Sequence, residues 1–100
     1  MKVLFKQTAL EDIRSASDYL IEQFQNEAAA KKLREMLFHS AMLLEEHPYL
    51  GAALREKYDV DTDLRFLISA RYLIFYRVLE DRVEITRVLD GRQDYLAILF

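Results

Sequence analysis

Apolar and polar residues recur with two different periods along this chain, a helical period first and a strand period later. A short alternating run over Lys2–Gln7 predicts an opening strand. The apolar positions that follow recur three or four residues apart, which predicts an amphipathic helix. They form one stripe: Leu10, Ile13, Leu20 and Phe24. Thr8 and Glu11 have the spacing of a capping box at the start of this helix.

A second helix is predicted from Glu27, because Asn26 interrupts the first pattern. Its apolar residues again share one face: Ala29, Leu33, Met36, Leu37, Leu43 and Leu44. Two amphipathic helices with a short connection are typical of an antiparallel hairpin, although one long helix through Asn26 also fits the pattern. The segment His47–Gly51 ends the helical part, since Pro48 restricts the residue before it away from helical angles.

Three runs rich in Val, Ile, Leu, Tyr and Phe follow an irregular acidic segment that extends to Asp63. They predict strands over Leu64–Ala70, Tyr72–Leu79 and Arg82–Leu89. The middle run is apolar at odd and even positions alike, so we expect a central strand covered by helices on one face and by a partner on the other. The order β-α-α-β-β-β predicts an α+β fold in which a helix hairpin packs on a small antiparallel sheet, with residues 1–100 as one domain.

Composition excludes several classes of function. The absence of cysteine excludes disulfides, thiol catalysis and cysteine-based zinc sites, and it suits a reducing compartment. No export signal or membrane-spanning run is visible, so we expect a cytoplasmic protein without a membrane partner. The net charge of −3 argues against binding nucleic acid by charge alone. No local motif for catalysis, a cofactor or a metal is found, and none of these is expected.

Arginine is the only basic residue type after Lys57, and its planar donor fork suits carboxylate or phosphate recognition. Near the end of the chain, Arg87, Asp90, Arg92 and Asp94 surround Gly91 before an apolar run. Two interpretations remain open: a contact surface for a partner, or an Arg–Asp pair, such as Arg92 with Asp94, that ties the chain end to the sheet. The residues after Asp94 are compatible with a helix or with an extended tail.

Several segments together resemble the ParE/RelE toxin superfamily, whose members are often described as plasmid-stabilisation proteins. The segments are "ALEDIRSASDYL", "HPYLG" and "LRFLISARYLIFYRVLEDRVEITRVLDGRQD". The resemblance covers nearly the whole chain and rests on the order and spacing of the segments and on the ending Gly-Arg-x-Asp. It implies the same β-α-α-β-β-β fold and the toxin half of a type II toxin–antitoxin system. It also implies a hetero-oligomer with a cognate antitoxin, ParD-like or other.

The resemblance implies one of two activities. RelE-type members cleave messenger RNA on the ribosome with clustered basic residues and a tyrosine near the C-terminus, whereas ParE-type members inhibit DNA gyrase without catalysis. Leu73, Gln93 and Leu99 stand where the nuclease pattern has an arginine, a second basic residue and that tyrosine, although Tyr95 lies four residues before Leu99. These departures remove the phosphate clamp and the proton carrier that the cleavage needs, so they favour a non-enzymatic gyrase inhibitor.

The gyrase inhibitor is thus the leading hypothesis, with no catalytic residues. The candidates for contact with the target are Tyr76, Arg77, Arg87, Arg92 and Asp94. A ParE-like ending more often has histidine before the glycine and two arginines after it, so Asp90 and Gln93 make this ending less basic. One alternative is a ribosome-dependent endoribonuclease, with phosphate contacts from Arg65, Arg87 and Arg92. Another is a degenerate member that only binds its partner. The antitoxin is expected to cover apolar area on the helix hairpin and the sheet edge, as a helix in a groove or as an added strand.

Overall fold

A parallel pairing places the first strand beside the last one. In the computed structural model, which describes residues 1–100, β1 (Lys2–Phe5) pairs in parallel with β5 (Arg82–Asp90). The other neighbours are antiparallel, in the order β1-β5-β4-β3-β2. The remaining strands are β2 (Ala52–Ala53), β3 (Arg65–Ser69) and β4 (Tyr72–Val78). The predicted α+β fold is confirmed, with a mostly antiparallel sheet that contains this one parallel pair.

The predicted helix hairpin is confirmed, and the chain turns where the pattern breaks. Helix α1 (Gln7–Phe24) ends at Gln25, which adopts the left-handed conformation with a φ of 50°. The Asn26 side chain then caps α2 (Glu27–Met42) by accepting a hydrogen bond from the Ala29 N–H at 2.9 Å. A single 3-10 turn over Leu43–Glu45 extends α2. The alternative of one long helix is therefore wrong.

The predicted capping box at the start of α1 is wrong. The helix begins at Gln7, so Thr8 lies inside its first turn, and no side chain caps it. The Thr8 hydroxyl instead donates to the Thr86 carbonyl at 2.9 Å. The apolar stripe of α1 also needs correction, because Leu10 and Phe24 are exposed while the buried residues of this helix are Ala9, Ile13 and Ser17. These mostly small side chains allow α1 to approach the sheet closely.

The main core lies between the helix hairpin and one face of the sheet. It combines residues of α1, α2 and the following 3-10 turn with alternate residues of β4 and with β5. The buried members are Ala9, Ile13, Leu37, Ala41, Leu44, Tyr72, Ile74, Tyr76, Val83, Ile85 and Val88. Because these side chains come from both ends of the chain, burial of the core requires the amino-terminal helix and the last strand together.

The opposite face of the sheet is covered by the chain's own segments, so the expectation that a partner covers it is wrong. Leu73 and Phe75 of β4 pack there in a second cluster. The covering residues come from α3 (Leu54–Lys57), from the segment that follows it and from α4 (Tyr95–Leu99). They include Leu54, Tyr58, Val60, Leu64, Tyr95, Leu96 and Leu99. The segment predicted to be irregular thus contains β2 and one helical turn, and the C-terminal tail is a helix.

None of the helices combines the length and the apolar character that crossing a lipid bilayer requires.

Gly51, at the end of the His47–Gly51 segment, lies directly against the sheet. Its N–H donates to the Tyr76 hydroxyl at 3.0 Å, and its carbonyl accepts from the Arg65 guanidinium. A Cβ at this position would lie 2.3 Å from the Phe66 carbonyl oxygen and 2.8 Å from the Tyr76 hydroxyl. Only a residue without a side chain fits this approach.

Replacement of Gly51 tests this packing. We expect Gly51→Ala to lower the free energy of unfolding by about 3 kcal/mol in urea denaturation, because the added methyl group must displace the backbone of Phe66. Gly91→Ala is the matched variant, since its Cβ would meet the Arg71 carbonyl oxygen at 3.0 Å and the end of the Leu73 side chain at 3.1 Å. It should cost less, because the Leu73 side chain can move. A Gly51→Ala protein as stable as the Gly91→Ala protein would contradict this account.

Candidate functional site

The second half of β5 and the exposed side of α1 enclose a groove of about 420 Å³. The turn between β3 and β4 and the turn after β5 lie side by side at one end of it. All charges of its lining come from three arginines and two aspartates: Asp12, Arg71, Arg87, Asp90 and Arg92. Apolar and aromatic side chains lie between them: Ala16, Tyr19, Tyr72, Val88, Leu89 and Ile98. The groove therefore combines charge-assisted hydrogen-bond donors with apolar contact area.

Side chains of α1 replace the pairing of β1 along β5. The parallel pairing ends at Phe5 opposite Ile85, and the backbone of β5 beyond that point has no strand beside it on this edge. There Thr8 donates to the Thr86 carbonyl at 2.9 Å, and Asp12 accepts from the Val88 N–H at 2.9 Å. Thr8 and Asp12 lie one helical turn apart on the same side of α1. Together they fix the helix against the strand and define the width of the groove.

Asp12 also binds the Arg87 guanidinium through two hydrogen bonds. Arg87 Nε donates to Oδ2 at 2.7 Å, and Nη2 donates to Oδ1 at 2.9 Å. The exposed fractions of the two side chains are 14% for Asp12 and 29% for Arg87. The hydrogen bonds to Asp12 raise the pKa of Arg87 against the opposing effect of burial, and the charges of Asp12 and Glu11 add to them. This pair is neutral overall and holds Arg87 in a fixed orientation.

A bulge in β5 precedes Arg87. Phe75 pairs with Arg87 and Tyr76 pairs with Ile85, so Thr86 is an extra residue on β5. Its hydroxyl donates to the Phe75 carbonyl at 3.0 Å. Ile85 and Val88 both face the helix-side core although they lie three residues apart. The bulge therefore changes which positions of β5 face inward just where the groove begins.

Asp90 organises the other end of the groove. Its Oδ2 lies 3.0 Å from Arg71 Nε and accepts from Arg92 Nη2 at 3.2 Å, while Oδ1 accepts from the Arg92 N–H at 2.9 Å. Gln93 and Gly91 complete the turn, because the Asp90 N–H donates to Gln93 Oε1 and the Gly91 N–H donates to the Arg71 carbonyl. One carboxylate thus contacts two guanidinium groups.

The same contacts lower the pKa of Asp90 below its ordinary value of 3.8. Burial favours the protonated acid, but the hydrogen bonds from the Arg92 N–H and guanidinium and the charges of Arg71 and Arg92 outweigh it. Asp90 is therefore an anion at neutral pH.

The structure brings only two of the residues predicted for target contact into this groove, Arg87 and Arg92. Asp94 lies outside its lining, exposed at the start of α4. The pair proposed between Arg92 and Asp94 is wrong, because Asp90 holds Arg92. Arg77 lies elsewhere on the sheet and binds Asp63 through Nε and Oδ1 at 2.7 Å.

Tyr76 and Arg65 are both parts of the scaffold around Gly51. Tyr76 is 0% exposed, so it offers no surface to another macromolecule in this structure. Arg65, a candidate phosphate contact, donates to the carbonyls of Gly51 and Tyr49, and its guanidinium lies 5.0 Å from the centre of the Tyr49 ring. It lines a separate, smaller pocket and does not join Arg87 and Arg92.

Comparison with known proteins identifies the family. A sequence model of the family described as "ParE toxin of type II toxin-antitoxin system, parDE" matches residues 3–95. The chain belongs to the ParE toxin family. Membership implies an antitoxin as partner. A solved structure entitled "Chromosomal ParDE TA system from P. aeruginosa" is similar to this fold, with a TM-score of 0.76 and 17% identity over 90% of this chain and 95% of that one. A search of curated protein sequences finds no significant match.

Sequence reasoning missed three features of the groove of this ParE-family protein: Asp12, Arg71, and the contact of Asp90 with two arginines. The strand register could have found two of them. Tyr72 pairs with Asp90, so the turn residue Arg71 must lie beside Asp90 once β4 and β5 are aligned. Asp12 gives no comparable signal, because its partners lie 75 and 76 residues away. Only the packing of α1 on β5 reveals it.

Tyr95 anchors α4 of this ParE-family chain. Its hydroxyl forms a hydrogen bond with the Tyr58 hydroxyl, and its ring lies 5.4 Å from that of Phe75. Burial, the hydrogen bond with Tyr58 and the charge of Tyr58 raise the pKa of Tyr95 to about 12. The group is a neutral structural contact at physiological pH.

Acid unfolding tests the Asp90 arrangement. Because the folded pKa of Asp90 is lowered, the unfolded chain takes up a proton at this position before the folded chain does. Its contribution is complete above about pH 4 and is lost as the pH falls through the folded pKa. Urea denaturation should show that stability falls less steeply below about pH 4 in Asp90→Asn than in the unmodified protein. Asp94→Asn, which removes an aspartate without an ion pair, is the control. Equal slopes for Asp90→Asn and the unmodified protein would refute the assignment.

Proposed function

We propose that this protein inhibits DNA gyrase by binding it, and that a cognate antitoxin neutralises this activity. Membership of the ParE toxin family supports the proposal. The observation that carries it concerns the arginines with which a nuclease would bind phosphate. Each of them already has a partner within the chain. Arg87 is bound by Asp12, Arg92 by Asp90, and Arg65 by two backbone carbonyls. Arg65 also lines a different pocket from Arg87 and Arg92, so the three do not form a common phosphate clamp.

The surroundings of Tyr95 also argue against a nuclease. Tyr95 is the tyrosine nearest to the expected position, and its pKa of about 12 is far above the value that suits a general base at neutral pH. Its hydroxyl is hydrogen-bonded to the Tyr58 hydroxyl, and its side chain packs against the second core cluster. Binding of a target, without catalysis, is the activity that these side chains support best.

The groove is the proposed surface for target contact. Arg92 is its most accessible charged residue, with 74% of the side chain exposed. Arg87, on β5, lines the same groove and is less exposed. Asp94 is a further contact in this proposal, next to the lining residue Gln93, and Arg77, which lies elsewhere on the sheet against Asp63, is a separate one. Arginine is enriched at the energetically important centres of protein interfaces, which fits this assignment.

The antitoxin is proposed to cover apolar surface elsewhere. Leu10 and Phe24 of α1 are exposed on the helix hairpin, and the outer edge of β1 has no neighbouring strand. A helix of the antitoxin suits the first surface, and an added strand suits the second. In either case the contacted surface would be exposed in the free protein and buried in the complex with the antitoxin.

A gyrase supercoiling assay tests the proposed function. The unmodified protein should inhibit supercoiling and cause cleaved DNA to accumulate, and addition of its cognate antitoxin should abolish both effects. Arg92→Ala should raise the inhibitory concentration about tenfold, the cost of one charge-assisted contact. Arg55→Ala is the control, because Arg55 is an exposed arginine outside the groove and should not change the inhibition.

Two other results would overturn this proposal. Normal supercoiling together with messenger RNA cleavage in a translation extract would identify a ribosome-dependent nuclease. Inactivity in both assays, with the antitoxin still bound, would identify a member that only binds its partner.

A further inference from the structure

The two ends of the groove differ in charge balance. At one end, Asp12 and Arg87 form a neutral pair with two hydrogen bonds. At the other end, Asp90 is the only carboxylate in contact with Arg71 and Arg92. One negative charge therefore faces two positive charges, and the cluster Arg71–Asp90–Arg92 retains one positive charge.

The excess charge is accessible and has free donors. Arg71 contacts Asp90 through Nε, and its Nη1 and Nη2 atoms make no hydrogen bond within the chain. Its side chain is 50% exposed, and its guanidinium lies 5.6 Å from the centre of the Tyr72 ring. The Arg71 backbone is fixed by the hydrogen bond from the Gly91 N–H at 2.7 Å. A preorganised guanidinium with a free edge suits a second carboxylate.

The surroundings favour a protein ligand over nucleic acid. The phosphate backbone of nucleic acid is held by several cations along its length, whereas this groove has one excess positive charge and the chain carries −3. Tyr19 and Ile98, 52% and 41% exposed, line the same groove and offer apolar contact area. A target surface with a carboxylate beside an apolar side chain matches both the excess positive charge and the apolar contact area of the groove. The carboxylate would be partly desolvated on binding.

We infer that the Arg71–Asp90–Arg92 cluster binds an acidic side chain on the protein surface of the target, with a neighbouring apolar residue against Tyr19 and Ile98. The inference rests on the proposed function, because it specifies what the groove recognises on the target. It assigns the contact to the target protein, not to the DNA that the target holds. Arg71 becomes a binding residue beside Arg92.

A titration of the full-length protein tests this recognition without gyrase. The probe is the blocked dipeptide acetyl-Glu-Leu-amide, and the matched control is acetyl-Gln-Leu-amide, which has the same shape without the charge. Binding is followed through the Nε–H NMR signals of the arginines. The acidic peptide should shift the signals of Arg71 and Arg92 and bind about tenfold more tightly than its uncharged counterpart.

Substitutions then locate the contact. Arg71→Ala should weaken binding of the acidic peptide about tenfold, and Arg71→Lys should weaken it as well, because the ammonium group lacks the planar fork. Arg55→Ala should bind as the unmodified protein does, and thermal melting of each variant verifies that it is folded.

Three results would overturn the inference: equal binding of the two peptides, no effect of Arg71→Ala, or tighter binding of an eight-residue thymidine oligonucleotide at the same arginine signals. Because the titration contains no gyrase, a negative supercoiling assay with a positive titration would reject the proposed target and leave the carboxylate site intact.

Discussion

Asp12 joins α1 to β5 at the point where β1 no longer pairs with that strand. Its carboxylate accepts hydrogen bonds from the Arg87 guanidinium and from the Val88 N–H, and Thr8 binds the Thr86 carbonyl one helical turn earlier. Without these side chains, the backbone of β5 would have unpaired polar groups beside a packed helix, which is costly in a partly buried place. The helix therefore serves as the edge of the sheet in this region.

The groove and its charge pattern follow from this contact. Because Arg87 is neutralised by Asp12, the excess positive charge of the groove comes from Arg71 and Arg92 around Asp90. The bulge at Thr86 precedes the pair, and the turn after β5 is fixed by Asp90 and Gln93. The scaffold thus presents a small number of arginines along one groove, each in contact with a carboxylate.

The sequence predicted the elements with strong periodicity and missed those that depend on distant partners. The helix hairpin and the strands β3, β4 and β5 follow from their apolar patterns, whereas β2 and α3 are too short, at two and four residues, to produce one. Thr8 had the right spacing for a cap, but a carbonyl 78 residues away binds its hydroxyl. Tyr76 was a candidate for target contact but is buried. Both faces of its strand are apolar, so alternation cannot show which tyrosine is buried. Arg87 and Arg92 were found from residue type alone, while Asp12 and Arg71 required the tertiary contacts.

A double-mutant cycle on Asp12 and Arg87 tests the central contact most directly. The free energy of unfolding is measured by urea denaturation for the unmodified protein, Asp12→Ala, Arg87→Ala and the double variant. We expect each single substitution to cost about 2 kcal/mol and the two to be coupled by about 2 kcal/mol, since the second substitution removes a group that has already lost its partner. Additive effects, with coupling below about 0.5 kcal/mol, would show that this pair does not hold α1 to β5 and would contradict the account.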